Sequence, residues 1–195
     1  MHLPTVDYER GCVLLLDQTR LPHEEEVLRC EDVPALVEAI QRLVVRGAPA
    51  IGVAAAHGVS LAADRLLQQG SAGDELVSGV RAAVDELRAS RPTAVNLGWA
   101  LDRMEGRLAE AVQVGAQGED LRGALAAEAE AIHREDVELC RAMGEHGAAL
   151  LPDPCTVLTH CNTGALATAG IGTALGVVYA AAEAGKQVRV YVDET

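Results

Sequence analysis

Hydrophobic and polar positions divide the chain into a strand-like start, a long helical middle and a mixed end. Residues 11–30 alternate turn signals with short apolar or acidic runs, Gly11 to Asp17 and then Glu26 to Cys30, which predicts a small antiparallel pair. From Asp32 the apolar residues fall three and four apart. Val33, Leu36, Val37, Ile40, Leu43 and Val44 share one stripe, Pro34 sits in the first turn, and the helix is expected to stop at Gly47. A second helix should run from Pro49 towards Leu67, followed by a loop at 69–73 and a third helix over 74–89. A fourth is expected from Ala94 to about Gln113 and a fifth over about 119–150. Leu121, Leu125, Ile132, Leu139, Met143 and Leu150 form the seam of the fifth, and Gly144 and Gly147 weaken its last turns.

At Pro152-Asp153-Pro154 the pattern changes. Residues 156–160 read as a strand, 165–184 as an Ala-rich helix and 187–192 as a second strand, which makes one βαβ unit with parallel pairing. The expected class is α/β overall. It comprises a small antiparallel flap at 1–31, a helical domain at 32–151 and the start of a truncated Rossmann-like domain at 152–195. A parallel sheet seldom stands as two strands, so the unit implies a domain cut short.

The net charge of -13 opposes attraction to nucleic acid or to an anionic membrane, and no stretch approaches about 20 uncharged apolar residues. With no Phe, one Trp and three Tyr, stacking platforms for bases are scarce. Five cysteines without a CxxC pair suit neither a disulfide framework nor a zinc ribbon, so the thiols are read as reduced and the compartment as cytoplasmic. His57, His133 and His146, spread over separate helices without HExxH spacing, support no metal site.

Candidate chemistry gathers at three places. Cys161 falls at the carboxyl end of the first predicted strand of the βαβ unit, where open α/β sheets bind ligands, and a helix after it would turn its positive end towards the thiol. A buried structural cysteine remains the competing reading. Arg46, with the Gly47 and Ala48 amides before a helix, suits an anion, although a surface arginine at an ordinary turn has the same sequence. Arg91 repeats this logic at the next helix start but one, with Ser90 or Thr93 as the cap. Gly170, Gly172 and Gly176 with Asp193 do not make a dinucleotide site, because Gly170 lies nine residues beyond Cys161 and inside the predicted helix. His160 is assigned to the opposite strand face in a core or supporting role, and Trp99 and Met104 to the core.

Read together, RGAPAIG at 46–52, SRPTAVNLGWAL at 90–101, LTHCNTGALATAG at 158–170 and VYVDET at 190–195 resemble the methylthioribose-1-phosphate isomerase family. The resemblance covers the whole chain but only the amino-terminal half or slightly more of such an enzyme. It implies a helical domain joined to a Rossmann-like domain and a homodimer when full length. No metal or nucleotide cofactor is implied, and the substrate is a small phosphorylated sugar of methionine salvage. It implies that Cys161 is catalytic and that Arg46, Gly47, Ala48 and Arg91 bind substrate. The family's catalytic aspartate, a binding glutamine and an Asn-Lys pair would lie beyond Thr195, so Asp193 is not that aspartate and the fragment alone should be inactive. Ribose-1,5-bisphosphate isomerase and the regulatory subunits of the translation-initiation exchange factor are the alternatives.

Overall fold

A computed structural model describes residues 4–193. The expected antiparallel pair is a three-stranded meander: β1 (Val6–Glu9), β2 (Cys12–Leu16) and β3 (Val27–Cys30), with β2 in the centre. The first strand escapes a pattern search because its four residues, VDYE, hold too few alternations to register. Val6, Val13, Leu15 and Cys30 point inward and join the same core as the helices, so the sheet packs as part of that body.

Helix α1 (Val33–Gln41) is capped by Asp32, whose carboxylate accepts the Ala35 N–H at 2.9 Å. It ends before the expected Gly47. Leu43 takes a φ of 62°, the Val44 N–H reaches back to the Ala39 carbonyl, and the Val44 carbonyl accepts the Gln18 N–H beyond β2. α2 (Ala48–Gln68) is the central helix, buried continuously from Ala50 to Ala63. By length and composition it could cross a membrane, but here it is the helix the others wrap. Small residues allow that wrapping. A Cβ at Gly52 would stand 2.9 Å from the Asn96 carbonyl oxygen, so α2 and the start of α4 touch backbone to side.

α3 (Gly73–Ser90), α4 (Val95–Gln113) and α5 (Gly118–Leu150) match the periodicity closely. The seam of α5 does not continue as read. Leu121, Leu125 and Ile132 are buried, but Leu139, Met143 and Leu150 are exposed, and the second half buries Cys140, Gly144 and Ala148 instead. The reason is close packing against α6 (Ala174–Glu183). A Cβ on Gly144 would lie 3.0 Å from the Gly176 carbonyl oxygen, and one on Gly147 2.5 Å from Val177. The two glycines therefore admit a neighbour helix. Met104 is in the core as expected, whereas Trp99 is 52% exposed, its ring 5.7 Å from the Arg103 guanidinium.

The βαβ unit is present: β4 (Cys155–Thr159) pairs in parallel with β5 (Val188–Val192), from Cys155 opposite Val188 to Thr159 opposite Val192. Lys186 ties this unit to α5, its ammonium donating to the Ala148 and Leu151 carbonyls at 2.7 and 2.6 Å. The expected single helix over 165–184 is divided. A 3-10 turn at Ala165–Ala167 and a loop containing Gly170 and Gly172 precede α6, so neither glycine is inside a helix.

Candidate functional site

Cys161 lies two residues past the end of β4, solvent-exposed, with a φ of 67°. An L-residue in the left-handed region costs about 1–2 kcal/mol, so the surrounding contacts must impose it. Three of them are visible. The Asp193 carboxylate accepts the Cys161 N–H through Oδ1 at 3.3 Å and pairs with His160 Nδ1 through Oδ2. The Thr159 and Thr163 hydroxyls meet at 2.9 Å, closing the turn from the other side. His160 is thus neither buried nor in the core, because residue 160 already stands beyond the strand and its ring is drawn to Asp193 at the end of β5. That pairing holds the Asp193 carboxyl below the usual carboxylate range.

α6 does not follow Cys161 directly, yet its start returns to the same turn. The Thr163 carbonyl accepts the Thr173 and Leu175 N–H groups, and Gly164 bridges Gly172. Gly172 has a φ of 100°, and a Cβ there would stand 2.6 Å from the Thr163 oxygen, so only glycine fits. Cys161, Asn162 and Thr163 line a cleft of about 800 Å³ whose apolar walls include Leu175 and Tyr179.

The loop from Ala165 to Ala169 joins this turn to the rest of the protein. Thr5 donates to the Ala165 carbonyl at 2.8 Å, Gln18 to the Leu166 carbonyl at 2.7 Å, and the Ala169 N–H to Asp136 on α5 at 2.7 Å. Burial pushes the Asp136 carboxyl up, and the Ala169 N–H draws it back. Gly47, with a φ of 92°, is seated on Ala167, so the amino-terminal end of α2 lies against the loop that follows Cys161. Pro49 has no N–H, and those of Ala48 and Ala50 have no intrahelical acceptor in the first turn. Arg46 and Ala48 are exposed beside them, and Arg91 is half-buried at the end of α3; neither arginine forms an ion pair among the described residues. The Cys161 cleft itself is not walled by Arg46, Gly47, Ala48 or Arg91.

Neither proposed cap of α4 acts as one: Ala94 is the capping residue, and the Ser90 hydroxyl donates back to the Leu87 carbonyl at 2.6 Å. The sequence also missed Thr5, Gln18 and Asp136, which carry no motif and matter only through folding. The histidines need a second correction. His133 and His146 share α5, and His133 meets His57 on α2 with the ring nitrogens 3.1 Å apart. Glu130 completes a group whose donor atoms lie within 4.8 Å of one another. The two imidazoles already serve as each other's hydrogen-bond partners, and Tyr8 stacks on His57 at 5.4 Å.

His57 is pushed down to about 3, first by burial and then by the charge of His133. An unfolded chain takes up this proton near pH 6.5, while the folded chain stays neutral to about pH 3. His57 therefore detracts nothing above pH 6.5 and removes stability progressively below it, about 2 kcal/mol by pH 5. Urea unfolding at pH 7 and pH 5 should show this loss in the unsubstituted chain, and His57→Phe should be flatter by that amount. Equal pH dependence in both would contradict it.

The helices wrapped on α2, the βαβ unit and the braced turn after its first strand define a class, and the chain belongs to the Initiation factor 2 subunit family, which matches it over residues 44–195. It is 54% identical over 190 residues to methylthioribose-1-phosphate isomerase of Desulforamulus reducens, covering 96% of this chain and 53% of that protein. It is 47% identical over 195 residues to that of Geobacter metallireducens, covering all of this chain and 55% of the relative. The chain thus spans about half the length of the curated relatives it matches. Among solved structures, translation initiation factor eIF-2B, subunit delta, from A. fulgidus superposes with a TM-score of 0.86 at 43% identity, over 100% of this chain and 55% of that one. The 5-methylthioribose 1-phosphate isomerase of Pyrococcus horikoshii gives 0.86 at 32% identity, over 98% of this chain and 60% of that one.

Proposed function

We propose that this chain is the cysteine-bearing half of an aldose-ketose isomerase that converts 5-methylthioribose 1-phosphate to 5-methylthioribulose 1-phosphate in methionine salvage. The observation that carries this reading is the exposed Cys161 on a left-handed turn at the mouth of a cleft, with the amino-terminal end of α2 seated on the adjoining loop. The names of the relatives support the substrate. Arg46, the Gly47 and Ala48 amides and Arg91 would hold the phosphate, and Cys161 would handle protons at the reacting carbons. Five free thiols fit a reducing cytoplasm. The divisions at 31/32 and 151/152 and a homodimeric complete enzyme belong to the same proposal.

The chemistry calls for two groups. The anomeric oxygen carries phosphate, so opening the ring needs a proton at the ring oxygen and leaves C1 as an oxocarbenium. Loss of the C2 proton then gives an enol phosphate, and protonation at C1 with release of the C2 hydroxyl proton delivers the ketose. Cys161 suits the transfer from C2 to C1, while the ring-opening acid would come from the portion of the relatives that this chain does not span.

The test is a fusion of residues 1–195 to the carboxyl-terminal part of the Desulforamulus reducens relative. The fusion should turn over 5-methylthioribose 1-phosphate, and the 195-residue chain alone should not. Preference for ribose 1,5-bisphosphate would replace the substrate. A folded fusion inert towards both sugars would favour a binding subunit, the role suggested by the name of the A. fulgidus neighbour.

A further inference from the structure

We infer that Asp193 is the positioning residue for Cys161, extending the β4–β5 pairing past its last backbone pair with a side chain. The inference rests on the reading of Cys161 given above. The parallel ladder ends at Thr159 opposite Val192. Two residues further, Cys161 has left the strand for the left-handed region, and its N–H is taken by a side chain instead of a ladder carbonyl. Asp193 meets it from the end of β5. One carboxylate oxygen accepts the Cys161 N–H, and the other pairs with the His160 ring, so two consecutive residues are held by one group.

Packing cannot supply this hold. The His160 side chain is 85% exposed and Cys161 is exposed as well, so neither is wedged in place by neighbours. At Cys161 itself the turn is held by polar contacts: Asp193 on one side and the bond between Thr159 and Thr163 on the other. Val192 and Cys161 line the cleft, but Asp193 does not. It therefore acts through the backbone that carries the thiol and has no place among groups that touch a ligand. A carboxylate suits the task because a charged acceptor binds an amide more strongly than a neutral one and its second oxygen remains free for His160.

Hydrogen exchange at the Cys161 amide tests the clamp in the 195-residue chain itself. Asp193→Ala should speed that exchange about tenfold, the loss expected for one bond to a charged acceptor. Asp193→Asn, which keeps an acceptor oxygen, should stay close to the unsubstituted chain. The Cys155 amide, bonded to the Gln187 carbonyl inside the sheet, should not change in either variant. Unchanged exchange at Cys161 in Asp193→Ala would overturn the inference, as would equal acceleration at Cys155, which would mean a frayed sheet.

The fusion enzyme supplies a readout that a structural role would not move. Asp193→Ala should lower kcat about 10- to 100-fold with little change in KM, and Asp193→Asn should recover most of the loss. Faster exchange with an unaltered kcat would remove the positioning role. If Cys161→Ala retained full turnover, the functional reading would fail, and the exchange result would still decide whether Asp193 clamps the turn.

Discussion

Cys161→Ala in the fusion enzyme is expected to lower kcat by about 10²–10⁴-fold while leaving KM nearly unchanged, the range of a lost general acid or base. The expectation follows from where the sulfur stands. Cys161 is exposed at the mouth of an apolar cleft, and its turn is anchored by Asp193, Thr159 and Thr163. Removing the thiol leaves that backbone and those partners intact, so binding survives while the step between C2 and C1 does not. Far-ultraviolet circular dichroism should be the same as for the unsubstituted protein. Solvent deuterium should enter the product at C1, since a thiol that shuttles protons exchanges with water. A Cys161→Ala enzyme with unaltered kcat, or a product free of label, would remove the proton shuttle.

Gly47→Ala carries the largest expected effect on stability. At φ 92° an L-residue is strained, and the new Cβ would stand 2.3 Å from the Ala167 Cα and 2.7 Å from its carbonyl oxygen. Those are backbone atoms fixed by Thr5, Gln18 and Asp136, so they cannot swing aside. Strain and overpacking together should cost about 3–5 kcal/mol. Gly70 is the internal control, with a φ of 91° and nothing within 4 Å of where a methyl group would stand. Gly70→Ala should therefore lose only about 1–2 kcal/mol. Urea unfolding of the 195-residue chain compares the two directly, and equal losses would show that contact with Ala167 counts for nothing. In the fusion enzyme Gly47→Ala should also raise KM, because the start of α2 would lift from the loop after Cys161.

The helices were legible because each carries its own periodicity and punctuation. Asp32 and Pro34 announce α1, Pro49 the start of α2, and the breaks at 69–73, 90–93 and 114–118 set off α3, α4 and α5. What periodicity misjudged depends on a neighbour. Leu139 and Met143 continue the apolar spacing of α5, but α6 packs on the strip of Cys140, Gly144 and Ala148, where small side chains let two backbones approach. The loop at 164–172 reads as helix because its alanines favour helix locally. Bonds from Thr5, Gln18 and Asp136, distant in sequence, hold it open.

Local pattern by itself determined the order of helices and strands, the parallel βαβ unit, and the choice of Cys161 at the end of its first strand. It did so because turn chemistry and periodicity act over a few residues. Tertiary structure alone decided how Cys161 is held, by an aspartate 32 residues away, and that Gly47 and Ala167, 120 residues apart, must touch. It also decided that His57 and His133 meet, 76 residues apart. Such pairs leave no trace in spacing, because only the packing of α2, α5 and the loop after β4 brings them within reach.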